Sequence, residues 1–146
     1  MTERVDFYIL KNADARTRQV FACRLTEKAY LKQLSVLLLA ADEAQARDLD
    51  ELLWTFSDDS FVPHQWLRAS QPPDAGTPVS IATHTPDGPA ADLVLNLAGA
   101  AAGALDRFAR IAEILDEDAE RLRAGRARFK AYRERQIPLE THQLNE

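Results

Sequence analysis

Apolar residues along this chain fall into short blocks separated by amphipathic stretches, and that rhythm predicts alternating strands and helices. Val5–Leu10 (VDFYIL) mixes β-branched and aromatic residues and reads as a first strand. Asn12 and Asp14 offer caps for a helix from about Ala15 to Gln33, with Phe21, Leu25 and Ala29 as its apolar stripe beside Val20 and Cys23. Leu34–Ala40 (LSVLLLA) is continuously apolar, the pattern of a strand buried on both faces of a parallel sheet. Asp42 caps a second helix running to about Trp54, with Ala46, Leu49, Leu52 and Leu53 turned inward.

Beyond that helix the rhythm weakens. Thr55 to about Thr77 reads as a loop rich in Ser, Pro and Asp. Pro78–Thr83 (PVSIAT) and Asp92–Leu97 (DLVLNL) read as strands, with a turn at Pro86–Pro89. Ala100–Arg110 reads as an Ala-rich helix. Ile111–Leu115 (IAEIL) fits either its end or a last strand. A terminal helix is expected from about Asp116 to Arg135, ended by Pro138, with residues 136–146 as a polar tail. Strand and helix in alternation predict one α/β domain over residues 1–146, a mostly parallel sheet flanked by helices in three layers.

Composition narrows the chemistry. The chain of 146 residues is 46% hydrophobic, enough for one real core. One cysteine, Cys23, rules out an internal disulfide, and its mid-helix position reads as a buried structural thiol. The start, MTERVDFYIL, lacks a signal-peptide pattern, and the longest apolar run, Val36 to Ala41, is too short to cross a membrane; a cytoplasmic protein is expected. The first strand-to-helix turn, KNADART, has no glycine to bring backbone close to a phosphate, so the topology is Rossmann-like without a nucleotide site. His64, His84 and His142 make no HExxH or i, i+4 pair, and GxSxG is absent. No cofactor or metal is expected, and an α/β enzyme is the weakest reading.

Charge is uneven. Glu120–Arg135 holds seven Lys/Arg against two Glu, a balance of +5, so the rest of a chain whose net charge is -5 carries -10. An acidic body opposes broad binding to a nucleic-acid backbone, which ranks a direct nucleic-acid binder second. Within the basic segment Leu122, Arg126, Phe129, Lys130 and Arg133 share one helical face, where cations alternate with apolar groups. Such a face suits an acidic ligand with a hydrophobic end; snorkelling arginines over a core would look the same. A second cluster, LLWTFSDDSFVPH (Leu52–His64) with Trp66 behind it, puts four aromatics within thirteen residues. Phe56 reads as a core plug. Trp54 and Phe61 stand open between core and partner anchor, with Pro63 holding the backbone.

These residues resemble the chi subunit of bacterial DNA polymerase III holoenzyme. The resemblance runs through Phe7, Tyr8 and Leu10, CRLTEKAY (Cys23–Tyr30), Leu49–His64, Pro78, Val79 and Ile81, LVLNL (Leu93–Leu97) and ARFKAYRER (Ala127–Arg135). It implies a non-catalytic accessory subunit of the clamp-loader assembly that contacts DNA only indirectly. It implies two partners: the small psi subunit, and the acidic, Phe-terminated tail of single-stranded DNA-binding protein. The psi surface maps onto Trp54, Phe61, Val62, Pro63 and His64, where a repair helicase is an alternative partner. The tail surface maps onto Leu122, Arg126, Phe129, Lys130 and Arg133, with Arg126 the strongest correspondence. Leu122 stands where relatives can carry a lysine, with Arg121 and Arg123 beside it as substitutes. Phe129 stands where a hydroxylated aromatic can occur, so stacking survives without the hydrogen bond.

Overall fold

A computed structural model describes residues 2–68, 74 and 76–144. Seven strands, β1 (Arg4–Leu10), β2 (Val36–Leu39), β3 (His64–Trp66), β4 (Val79–Ala82), β5 (Leu93–Asn96), β6 (Arg110–Leu115) and β7 (Leu139–Leu144), form one sheet in the order β3-β4-β2-β5-β6-β1-β7. Every pairing is parallel. Three helices flank it, α1 (Ala15–Leu31), α2 (Glu43–Thr55) and α3 (Ala119–Glu134).

The central strands alternate between two cores. Val36, Leu38, Leu93, Leu95, Ala112 and Ile114 point to the side that carries α1 and α2, where Ala46, Leu49, Leu52 and Leu53 meet them. Leu37, Leu39, Val94, Ile111 and Leu115 point to the other side, where Leu105, Phe108 and Tyr132 close the core. With both faces covered, β2 is buried at all four positions, as its unbroken apolar run requires. The caps are local chemistry. Asp42 Oδ1 accepts from the Gln45 N–H at 2.8 Å while the Gln45 side chain accepts from the Ala41 N–H at 2.7 Å.

Four expectations are corrected. The buried side of α1 is Arg18, Gln19, Ala22, Cys23, Thr26 and Ala29, while Val20, Phe21 and Leu25 only flank the core. Small residues let α1 sit close to the leucine-filled sheet. The Thr26 hydroxyl is satisfied by the Ala22 carbonyl at 2.8 Å, and Arg18 Nε donates to the Ile114 carbonyl at 2.8 Å. The Ala-rich segment yields only one 3₁₀ turn, Ala102–Leu105. Asn96 grips Ala100 through both its amide groups, Gly99 turns the chain at φ 72°, and Ala102, Leu105 and Phe108 then pack onto one face of the sheet. The loop after Trp54 contains edge strand β3, although residues 69–73 and 75 lie outside the described set. The polar tail is largely edge strand β7, paired with β1 from Val5 to Leu10. Pro138 ends α3 without ending the domain; its carbonyl accepts from the Val5 N–H at 3.0 Å. Arg110–Leu115 resolves as strand β6.

Candidate protein-binding surfaces

The terminal helix is fastened by charge. At its start Asp118 Oδ2 caps the Arg121 N–H at 3.0 Å, and fully buried Asp116 receives Arg121 at 3.0 and 2.9 Å. Burial pushes the Asp116 carboxyl up, but Arg121 and the Asp118 N–H outweigh it and hold it below the usual carboxylate range. Further along, α3 turns Arg128 and Tyr132 onto Glu113, a fully buried carboxylate in β6. Arg128 forks onto Glu113 at 2.9–3.1 Å, the Tyr132 hydroxyl donates to it at 2.8 Å, and Asn96 adds a third donor at 2.9 Å. Burial, with Glu113 beside it, pushes the Tyr132 phenol up. Gly125 faces Leu115 so closely that a Cβ there would overlap that side chain, which is why a mid-helix glycine is present.

This bolt fixes what the other side of α3 displays. Of the seven cations between Glu120 and Arg135, four are paired within the molecule: Arg121 with Asp116, Arg123 with Glu120, Arg128 with Glu113 and Arg135 with Asp106. The remaining three are Arg126, Lys130 and Arg133, the same three that spacing alone selected. All three are exposed, and none has a carboxylate partner among the described residues. Beside Leu122, Arg121 is forked onto buried Asp116, while Arg123 pairs with Glu120 at the exposed surface. Leu122 and Phe129 are half-buried and packed on the core. Phe129 meets Phe7 edge-on, centroids 5.2 Å apart, and Arg133 lies 5.9 Å from its ring. Among the described residues, the clefts lined by Pro78 and Phe108, by Asp6 and Arg110, and by Leu10 and Arg24 lie away from α3.

The aromatic cluster is built differently. Trp54, at the end of α2, is 53% exposed and Phe61 is 65% exposed, with ring centroids 5.6 Å apart. The His64 ring lies beneath Trp54 at 4.8 Å, its side chain only 1% exposed. Its two nitrogens bond the Val62 carbonyl at 2.8 Å and Asp50 at 3.0 Å. Two residues expected on this surface are not on it. Val62 is wholly buried, because an extended chain that turns Phe61 outward turns its neighbour into the core. His64 acts as a floor. Pro63 is partly exposed between them. Phe56 and Trp66 pack against the core, as expected for Phe56, and Arg68 stacks 3.9 Å over Trp66.

The two surfaces lie far apart on the sheet. The aromatic pair sits where α2 packs on β3 and β4, the first two strands in order. The cationic stripe sits on the opposite layer, over β6. Sequence reasoning missed the Glu113–Arg128–Tyr132 bolt. Its signal was present: a lone Glu inside IAEIL, and an Arg–Tyr pair one turn apart on the side of the helix away from the stripe. Cys23 is buried, and burial pushes its thiol up to about 12.

The family model for the DNA polymerase III chi subunit, HolC, matches residues 1–140. The DNA polymerase III subunit chi of Pseudomonas aeruginosa is 40% identical over 141 residues, 97% of this chain and 96% of that one. The Escherichia coli subunit is 30% identical over 132 residues, covering 87% and 88%. The Haemophilus influenzae subunit is 30% identical over 135 residues, covering 91% and 92%. The structure of T4 UvsW superposes with a TM-score of 0.69 over 98% of this chain and 42% of that one. At 10% identity this is a likeness of fold alone. The chain belongs to the DNA polymerase III chi subunit family, the non-catalytic accessory subunits of a replicative polymerase.

Proposed function

We propose that the protein joins the clamp loader to single-stranded DNA-binding protein. The psi subunit would dock on Trp54 and Phe61, with Pro63 at the rim, and a repair helicase would compete for the same patch. The acidic tail of single-stranded DNA-binding protein would lie along α3, its carboxylates on Arg126, Lys130 and Arg133. Its terminal Phe would rest against Phe129 and Leu122. One observation carries this reading: the cations that α3 leaves without an internal partner are those on the stripe. Free forks in a row suit bidentate carboxylate capture. A single contact of this kind is weak and salt-sensitive. Tethering through psi raises its effective concentration. The separation of the patches supports simultaneous occupancy. Sedimentation of the protein with psi and an acidic Phe-terminated peptide is expected to give one ternary species. Mutual exclusion of the two ligands would overturn the reading.

A further inference from the structure

A second cationic cluster lies at the amino edge of the sheet, under the last turns of α1. A cleft of about 110 Å³ opens there, with Asp6, Tyr8, Lys28, Lys32 and Arg110 among its lining residues. Asp6 is buried and already supplied. Arg4 forks onto it at 2.8–3.1 Å and His142 Nε2 lies 3.0 Å away. Arg110 reaches Asp6 only at 3.6 Å, too long for a hydrogen bond, and its Nε is buried with no acceptor. Lys28 in the last turn of α1 and Lys32 at its C-cap are exposed and have no carboxylate partner among the described residues. The Tyr8 ring, stacked on His142 at 4.6 Å, borders the same space.

Charge accounting selects the ligand. Arg110, Lys28 and Lys32 line the cleft with one carboxylate, Asp6, which leaves an excess of two positive charges. Lysines at a helix carboxyl end answer its dipole, but that does not account for Arg110 with an unmet donor beside them. A carboxylate would neutralise half of the excess. A phosphate monoester, at about -1.5 to -2 near neutral pH, matches it. The cleft is well below the roughly 300 Å³ at which drug-sized ligands are enclosed, so it takes the phosphate group and not a base.

We propose that this cleft binds a phosphate-class oxyanion through Lys28, Lys32 and Arg110, independently of α3 and of the Trp54 patch. Calorimetric titration of the full chain at constant ionic strength tests it, with inorganic phosphate, a sugar phosphate and a short single-stranded DNA as probes. Inorganic phosphate is expected to bind wild type, and at least tenfold more weakly to Lys28→Gln/Lys32→Gln, whose changes lie on the helix surface. Arg126→Ala is expected to bind phosphate like wild type. A DNA phosphodiester carries a single charge, so DNA binding that is tighter than phosphate binding and is lost in the lysine variant overturns the choice of a dianion. DNA no tighter than the free ions assigns it to small phosphates. Absence of phosphate binding, or binding unchanged in the lysine variant, overturns the proposal.

Discussion

The two surfaces proposed for partners invert each other's construction. On α3 the polar chemistry is inside and outside alike: a buried Glu113–Arg128–Tyr132 bolt holds the helix, and unpaired cations face water. At Trp54 and Phe61 the exposed groups are apolar, and the polar group, His64, is the hidden support. Exposed rings offer area that water readily leaves, so that patch suits a lasting, salt-insensitive contact. Exposed guanidinium and ammonium groups keep their hydration until an anion arrives, so α3 suits an exchangeable one.

The largest effect is expected inside the bolt. Arg128→Ala leaves the Glu113 carboxylate buried without its charge partner and should lower unfolding free energy by about 3–5 kcal/mol, read by urea denaturation. A loss under 1 kcal/mol would mean that α3 is held by its apolar contacts instead. Next, Trp54→Ala or Phe61→Ala should cost psi binding about 2 kcal/mol or more, while each leaves the binding of an acidic tail peptide unchanged. Pull-down with psi reads the first, and calorimetry the second.

Acid separates the surfaces again. The Asp116 carboxyl is held below its unfolded value, so its contribution is present above about pH 4 and is lost as pH falls through the lowered value. Amide resonances of α3 should broaden in that window before those around Trp54 do, and Asp116→Asn should remove the difference. The smallest effect concerns the end of α3. Gln136 sits at φ 62°, in a motif where the Ile137 N–H reaches back to the Tyr132 carbonyl. Gln136→Gly should stabilise by about 0.5–1 kcal/mol, visible as a small rise in Tm.

What could be read from the sequence follows the range of the forces involved. Strand β2 was legible because a strand buried on both faces is apolar along its length, and β1, β4 and β5 because short runs of β-branched, aromatic and apolar residues mark them. Helix α2 was legible because its four inward residues repeat at helical spacing. The packed side of α1 was not, since the sheet takes small and hydrogen-bonded residues there where spacing favoured the large ones. Strand β7 was hidden because an edge strand needs no apolar repeat; LETHQL carries mostly polar groups and is held by backbone bonds to β1. On α3 the stripe was legible as a face, but which arginines were free was not. That depends on acids brought in from β6, from the turn after it and from the 3₁₀ segment. At the aromatic patch, the inward turn of Val62 follows from the extended backbone, a fact of local geometry that composition does not carry.

Titration of a short acidic peptide ending in Phe against wild type and Arg126→Ala, at low and at physiological salt, puts the account to its most direct test. The loss of Arg126 should weaken binding by about 1.5–3 kcal/mol, as for a charge-assisted contact, and the difference should shrink as salt rises. Equal affinities for the two proteins at low salt would contradict the assignment of α3 as the tail-binding surface.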